Sequence, residues 1–372
     1  MAGFFYVLQR GARKKPLVSA IGLLCARRVG LATHISVTRV ARRTGMRRRE
    51  FLALSGVTLA GAVIGGYASR ANARQGGSET NASQPMNAAA YRALRRYAKT
   101  PFGDIAYVER GSGAAALFVH GYLLNGFQWR GALERLSPHR RCIALDLMGL
   151  GYTEVAQGQS VTPDAQVAMM VSFLDALSID KVDIVASDSG GQAAQLLLVR
   201  HPARVRSILL TNCDTEPDSP PAALKKTLEW AHAGTLPERL IAPWIADKDR
   251  ARREYRDLYT YPTNPTDEAN EYYFPPLIST PRRRELVQAY TIGLEHNPLI
   301  GIGPLLKYSS VPARIVWGTG DTIFSPAGPD YLDRSFGHSL GVRRIEHAKL
   351  FFAEELPDLI AEEARRLWRM PG

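Results

Sequence analysis

Val182-Asp183-Ile184-Val185-Ala186-Ser187-Asp188-Ser189-Gly190-Gly191 is the stretch whose reading decides the fold. A β-branched, apolar run ends in small residues, and a helix-compatible segment, 192–200, follows at once. That pattern is a strand turning sharply into a helix, with one reactive side chain held at the bend. Small residues flank such a tip because the bend is strained and the backbones crowd one another. Asp188 and Ser189 both compete for the tip, and they imply different chemistry.

Outward from this elbow the chain alternates between strand and helix. Short strands are expected over 96–102 and 105–109, around the Gly103-Asp104 turn, and over 115–119, ending at His120-Gly121. A helix over 129–136 leads to a buried strand over 142–147. The spacing of Val167, Met170, Val171 and Leu174 then predicts a helix over 162–177, with Thr162 as its N-cap. After the elbow comes a strand over 205–210. Between 214 and 308 the rhythm changes to helical segments rich in Trp and Tyr, preceded by Pro217, Pro220 and Pro221, with no strand pattern. Alternation resumes with strands over 313–317 and 342–346 and helices over 330–335 and 354–369. The expected class is therefore α/β, a mostly parallel sheet flanked by helices, with a helical cap inserted after the sixth strand. The core comprises 91–213 and 309–372, and the cap 214–308. In such sheets ligands bind beyond the carboxyl ends of the strands.

The formal net charge of +12 would suggest a nucleic-acid or membrane partner if it were spread over the fold. Residues 1–74 hold 14 Lys or Arg against one acid, Glu50, which leaves 33 bases and 34 acids for the remainder. The folded part is near neutral, so nucleic acid is excluded as its partner. Three cysteines, Cys25, Cys142 and Cys213, make no disulfide framework, and the last two sit where buried strands are expected.

Met46-Arg47-Arg48-Arg49-Glu50-Phe51-Leu52 resembles a twin-arginine export signal. An uncharged stretch over 51–69 follows, and Ala71-Asn72-Ala73 offers the small-x-small pattern of signal cleavage. The expectation is a signal peptide over 46–73, a linker over 74–90, and an exported protein that meets the membrane only transiently. An uncleaved anchor is the alternative, since the stretch is just long enough to span a bilayer. Residues 1–45 fit no signal grammar and are expected to be a non-native upstream extension, with Met46 as initiator.

Four loop segments stand in order at expected strand ends: His120-Gly121-Tyr122, Asp146-Leu147-Met148-Gly149-Leu150-Gly151, the elbow, and Gly318-Thr319-Gly320-Asp321. This succession resembles the α/β-hydrolase family over about residues 92–370. Gln128-Trp129-Arg130 and Arg141-Cys142-Ile143-Ala144-Leu145-Asp146 look most like its haloalkane dehalogenase and epoxide hydrolase branch. The family's elbow pattern, laid on 182–191 without a gap, puts the nucleophile at Asp188; choosing Ser189 shifts the frame by one. The resemblance implies Asp188 as nucleophile, Asp321 as the acid that orients a histidine, and the backbone N–H groups of Tyr122 and Ser189 as an oxyanion hole. An aspartate is ionised at neutral pH, attacks sp³ carbon and leaves an alkyl ester of the enzyme.

The family's histidine stands a few residues before a Glu-Glu-x-Pro helix start. Here Phe351-Phe352-Ala353-Glu354-Glu355-Leu356-Pro357 aligns, so Leu350 occupies the histidine's position. His347, three residues earlier, is the nearest replacement base. The dehalogenase halide-holding Trp and Asn positions are Ser189 and Tyr122 here, so the substrate stays open. His120, Trp129, Trp230, Tyr259 and Tyr290 are expected to wall a substrate pocket, and no metal or organic cofactor is implied. Three functions follow: a hydrolase of small apolar substrates, a degenerate relative that binds a small molecule without turnover, or a serine esterase using Ser189.

Overall fold

The computed structural model describes residues 86–370. The expected upstream extension, the signal segment and the linker up to residue 85 lie outside the described residues. The apolar runs pair into one nine-stranded sheet. Its longer strands are β1 (Arg95–Thr100), β2 (Gly103–Arg110), β3 (Ala115–Val119), β4 (Arg141–Leu145), β5 (Val182–Asp188), β6 (Val205–Cys213), β7 (Ala313–Gly318) and β8 (Ser339–Ile345). They lie in the order β1-β2-β4-β3-β5-β6-β7-β8, and the two-residue strand Glu154–Val155 pairs with β2. From β4 to β8 every neighbouring pair is parallel, while β2 runs antiparallel to both its neighbours β1 and β4. Strands buried on both faces need continuous apolar sequence, and every residue of β3 and β5 is buried.

Helices flank the sheet. α1 (Ala88–Ala93) precedes β1, α2 (Arg130–Leu136) joins β3 to β4, and α3 (Pro163–Ala176) leads to β5. α4 (Ser189–Arg200) leaves the tip of β5 and packs on β5, β6 and α3. Seven α-helices separate β6 from β7 and form the cap: α5 (Lys225–His232), α6 (Ala242–Ala246), α7 (Lys248–Tyr255), α8 (Asp267–Tyr273), α9 (Pro275–Ile278), α10 (Pro281–Gly293) and α11 (Ile302–Tyr308). α12 (Gly328–Ser335), α13 (Phe352–Glu355) and α14 (Pro357–Leu367) complete the chain. The cap's aromatic residues make its own core: the Trp244 ring lies 4.8 Å from Tyr255 and 5.0 Å from Phe274. Tyr272 fastens the cap to the body through Phe127, 4.6 Å away.

Three local differences from the sequence pattern have identifiable causes. The expected linker ran to residue 90, yet α1 begins at Ala88, where the Asn87 side chain caps the Ala90 N–H. Tyr91 holds that helix down through edge contacts with Phe127 and Tyr272, partners remote in sequence. The single helix expected over 354–369 is divided into α13 and α14 at Pro357, which lacks the N–H that would continue the first turn. The helix expected from Trp129 is preceded by a tight 3₁₀ turn, Gly126–Trp129, capped by the Asn125 side chain.

Candidate active site

The elbow takes its shape from two glycines and a strained aspartate. Asp188 has φ 56° and ψ −134°, a conformation that side chains larger than glycine rarely adopt, and α4 begins at the next residue. A Cβ on Gly190 would strike the His120 carbonyl oxygen, and one on Gly191 would strike the Cys213 side chain. Those contacts fix the frame: Asp188 is at the tip and Ser189 is the first residue of the helix. The Ser189 hydroxyl is 3.1 Å from the Tyr290 hydroxyl.

At the tip, Asp188 Oδ1 accepts hydrogen bonds from the Tyr122 N–H at 2.8 Å and the Ser189 N–H at 2.5 Å. The two donors expected as an oxyanion hole therefore converge on one carboxylate oxygen. Burial raises the Asp188 pKa, and the two backbone N–H bonds oppose that rise. Asp188 lines a cavity of about 470 Å³ between the strand tips and the cap, which Leu224, Trp244, Tyr255, Phe324 and Leu350 also wall.

The loop after β3 is held from below. The Gly121 N–H donates to Gln128 Oε1 at 3.0 Å, which presents the next residue, Tyr122, to Asp188. His120 braces the same loop. Its Nε2 accepts from the Leu147 N–H at 2.9 Å, and its Nδ1–H donates to the Gly121 carbonyl at 2.8 Å. Burial lowers its pKa, so the neutral ring that these bonds require is the form favoured. Asp146 ties the neighbouring loop by accepting from the Gly126 and Tyr152 N–H groups, both at 2.8 Å.

Asp321 sits after β7 as expected, but its oxygens are already engaged. Oδ2 accepts from Asn212 Nδ2 at 2.8 Å and Oδ1 from the Ile323 N–H at 2.8 Å. Burial pushes its pKa up to about 6, against these bonds and with the help of the Asp188 charge. His347 does not join it. Its side chain is exposed, its backbone has φ 61°, and its N–H donates to Thr319 Oγ1 at 3.1 Å. The strand end thus turns the imidazole outward, and Leu350, buried, fills the cavity wall where a base would stand. Among the described residues no histidine lines the cavity.

The expected pocket wall is corrected in most of its members. Trp129 is buried against Phe118 of β3, and Tyr259 is buried with its hydroxyl donating to Glu354 Oε2 at 2.7 Å. Trp230 lies on α5 under the Lys226 ammonium, 4.9 Å from its ring. His120 is occupied by its two loop bonds. Tyr290 reaches the site from the side, bounding a small recess with Ser189 and Gln192 and stacking on Tyr122 at 6.1 Å. Aromatic type alone marked these residues, and aromatic residues serve the core as readily as a pocket.

Sequence reasoning passed over Asp214, the residue immediately after β6. It is buried, lines the cavity beside Asp188, and its pKa is pushed up to about 8 by burial and by the Asp188 charge. The signal was available: an acid directly following a buried strand that neighbours the elbow strand. Asn212 was also passed over, although it bridges β6 to β7 through the Gly318 N–H and carbonyl.

Known proteins agree with this architecture. Residues 116–355 match the alpha/beta hydrolase fold family. A 2-hydroxy-6-oxo-2,4-heptadienoate hydrolase of Pseudomonas putida is 36% identical over 103 residues, 27% of this chain and 37% of that protein. A haloalkane dehalogenase of Mesorhizobium japonicum is 37% identical over 137 residues, 34% of this chain and 40% of that protein. The matched stretches thus span well under half of these curated relatives. The solved structure of an epoxide hydrolase superposes with a TM-score of 0.61 at 18% identity, covering 74% of this chain and 98% of that one.

Proposed function

Because the chain belongs to the α/β hydrolase fold family, we propose that it is a hydrolase of small, largely apolar substrates. Asp188 attacks carbon and forms a covalent alkyl ester of the enzyme. The observation that carries this reading is the carboxylate at the elbow tip, with Oδ1 held by two backbone N–H groups inside a capped, mostly apolar cavity. Oδ2 is left to attack. The bond from carbon to the leaving group breaks as the ester forms, and the electron pair departs with that group. Water then adds to Cγ of Asp188, negative charge gathers on Oδ1 between the Tyr122 and Ser189 N–H groups, and the alcohol leaves.

Among the described residues no Lys or Arg lines the cavity, whereas four acids do: Asp188, Asp214, Glu254 and Asp257. A negatively charged dienoate would be repelled there, so attack at sp³ carbon, as the names of the haloalkane dehalogenase and epoxide hydrolase relatives suggest, fits this chain better. The serine-esterase alternative lacks support, because Ser189 Oγ is hydrogen-bonded to Tyr290 and no histidine among the described residues lines the cavity to activate it.

Single turnover of styrene oxide in ¹⁸O-water tests the proposal. One ¹⁸O atom is expected in the peptide containing Asp188, and none in Asp188→Asn. Product without label on Asp188 would sink the covalent mechanism. Neither label nor product would leave a small-molecule binding protein, and labelling of Ser189 by a fluorophosphonate would restore the esterase.

Export through the twin-arginine-type segment 46–73 is also proposed, on its sequence pattern. Retention of the precursor on replacing Arg48→Lys and Arg49→Lys is expected; unchanged export would reject it.

A further inference from the structure

A hydrolase with no histidine lining its cavity among the described residues must still move protons, and one buried acid there has no role in the steps above. Asp214 follows β6, whose last residue, Cys213, is the register partner of Asp188 across the parallel β5–β6 pair. The two carboxyls therefore rise from adjacent strand tips into the same cavity. Asp214 is positioned on both sides. Its backbone carbonyl accepts from Gln195 Nε2 at 2.8 Å, and its Oδ1 accepts from the Ser219 hydroxyl at 2.8 Å. Gln192 Nε2 in turn donates to Ser219 Oγ at 3.0 Å. The Ser219 bond occupies Oδ1 and not Oδ2. Asp321, the other candidate, has both oxygens engaged and does not line the cavity.

We propose that Asp214 is the proton-transfer residue of this site, giving its proton to an oxygen leaving group as Asp188 attacks and later taking one from the water that discharges the ester. This rests on Asp188 being the nucleophile. The titratable groups around Asp214 are Asp188 at the elbow, Asp218 and Cys213 beside it in the chain, and Tyr290 of α10, with no cation among them. Burial and these carboxylates keep the proton on Asp214 to about pH 8, so at neutral pH it is an acid ready to donate.

The steps balance. Asp188 Oδ2 bonds to an epoxide carbon, the C–O bond opens, and the Asp214 proton moves to the freed oxygen. Asp214 is now a carboxylate beside a neutral ester. It removes a proton from water as the hydroxide adds to Asp188 Cγ. Collapse of the tetrahedral adduct expels the alkoxide, which takes the proton of the re-formed Asp188 carboxyl, and the diol leaves with Asp214 again protonated. A halide departs as an anion and needs no proton, so it leaves Asp214 protonated and the ester without its base. The arrangement thus selects strained cyclic ethers over alkyl halides.

Stopped single-turnover measurements with styrene oxide and 1-bromohexane, read by intact mass from pH 6 to 9, test this. Asp214→Asn is expected to slow alkylation by styrene oxide by ~100-fold or more while 1-bromohexane alkylation stays within about threefold and its ester persists. Asp214→Glu, which keeps an ionisable proton, is expected to recover part of the epoxide reaction. In the unaltered protein, alkylation by the epoxide should fall above about pH 8 and alkylation by the bromide should not. A flat epoxide profile, unchanged epoxide alkylation in Asp214→Asn, or equal loss on both probes in a folded variant would overturn the proposal. Absence of any Asp188 adduct in the unaltered protein would overturn the nucleophile assignment itself, and this inference with it.

Discussion

Asp183 and Asp188 lie on the same strand, β5, and both are buried, yet the tertiary structure gives them opposite fates. Asp183 faces the amino end of the sheet. Its Oδ2 accepts from Arg206 Nη1 at 2.7 Å and Arg140 Nε at 3.1 Å, and its Oδ1 accepts from Ser207 Oγ at 2.7 Å. Asp188, at the carboxyl end, accepts from the Tyr122 and Ser189 N–H groups and shares its cavity with Asp214, and no Lys or Arg lines that cavity among the described residues. Charge that is paired with cations has no reason to react. Charge held by backbone dipoles away from any cation stays available to react and gains from being neutralised.

The strongest way to break that contrast is to neutralise each acid in turn. Asp188→Asn is expected to lower turnover by about 10³-fold or more while leaving the denaturation midpoint near that of the parent. Loss of activity through unfolding would erase the distinction between the two ends. Asp183→Ala should do the reverse, destabilising the fold by ~3 kcal/mol in urea unfolding because two arginines lose their carboxylate, with activity per folded molecule preserved. Arg206 is partly exposed and hydrated, which tempers that cost.

The next effect depends on pH. The folded-state pKa of Asp214 is raised from 3.8 to about 8, so the fold prefers its proton. For an acid raised in this way, the favourable contribution is complete below about pH 4 and is lost as pH climbs through about 8. Asp214→Asn imitates the protonated form. It should therefore be more stable than the parent by several kcal/mol at pH 9, with the gap narrower at pH 5 and closing only below about pH 4. Equal gaps at both pH values would mean that Asp214 ionises freely.

The smallest effect is expected at His347. Its side chain is exposed and the bonds of Asp321 are made elsewhere. His347→Ala should keep turnover within about twofold, the range of ordinary surface changes. A large loss would mean that the loop after β8 closes on the site in a way its present hydrogen bonds oppose.

Much of the fold was legible because parallel strands buried on both faces announce themselves as apolar runs. The run at 115–119 matched its strand residue for residue, and 182–188 ended at the elbow tip. The cap was legible as the place where that rhythm stopped. Within the site, the frame of the two glycines indicated Asp188, because only one frame lets Gly190 and Gly191 meet His120 and Cys213 without a side chain. The pocket wall was not legible. Trp129 and Tyr259 carry the aromatic chemistry of a pocket, but rings remote in sequence bury them. Gln128 appeared only as part of a motif, and its hold on the Gly121 N–H shows why the motif shapes the loop that carries Tyr122.

By itself the sequence determined the order of strands and helices, the inserted cap and the elbow, since hydrophobic period and glycine placement are local properties of the chain. It also determined that leucine stands where a base was expected. The tertiary structure alone decided which acids share a cavity. Asp188 and Asp214 are 26 residues apart in the chain, and parallel pairing of β5 with β6 sets them at neighbouring strand tips. Whether an acid is paired, dry or exposed depends on what the fold brings around it, and that environment fixes its proton.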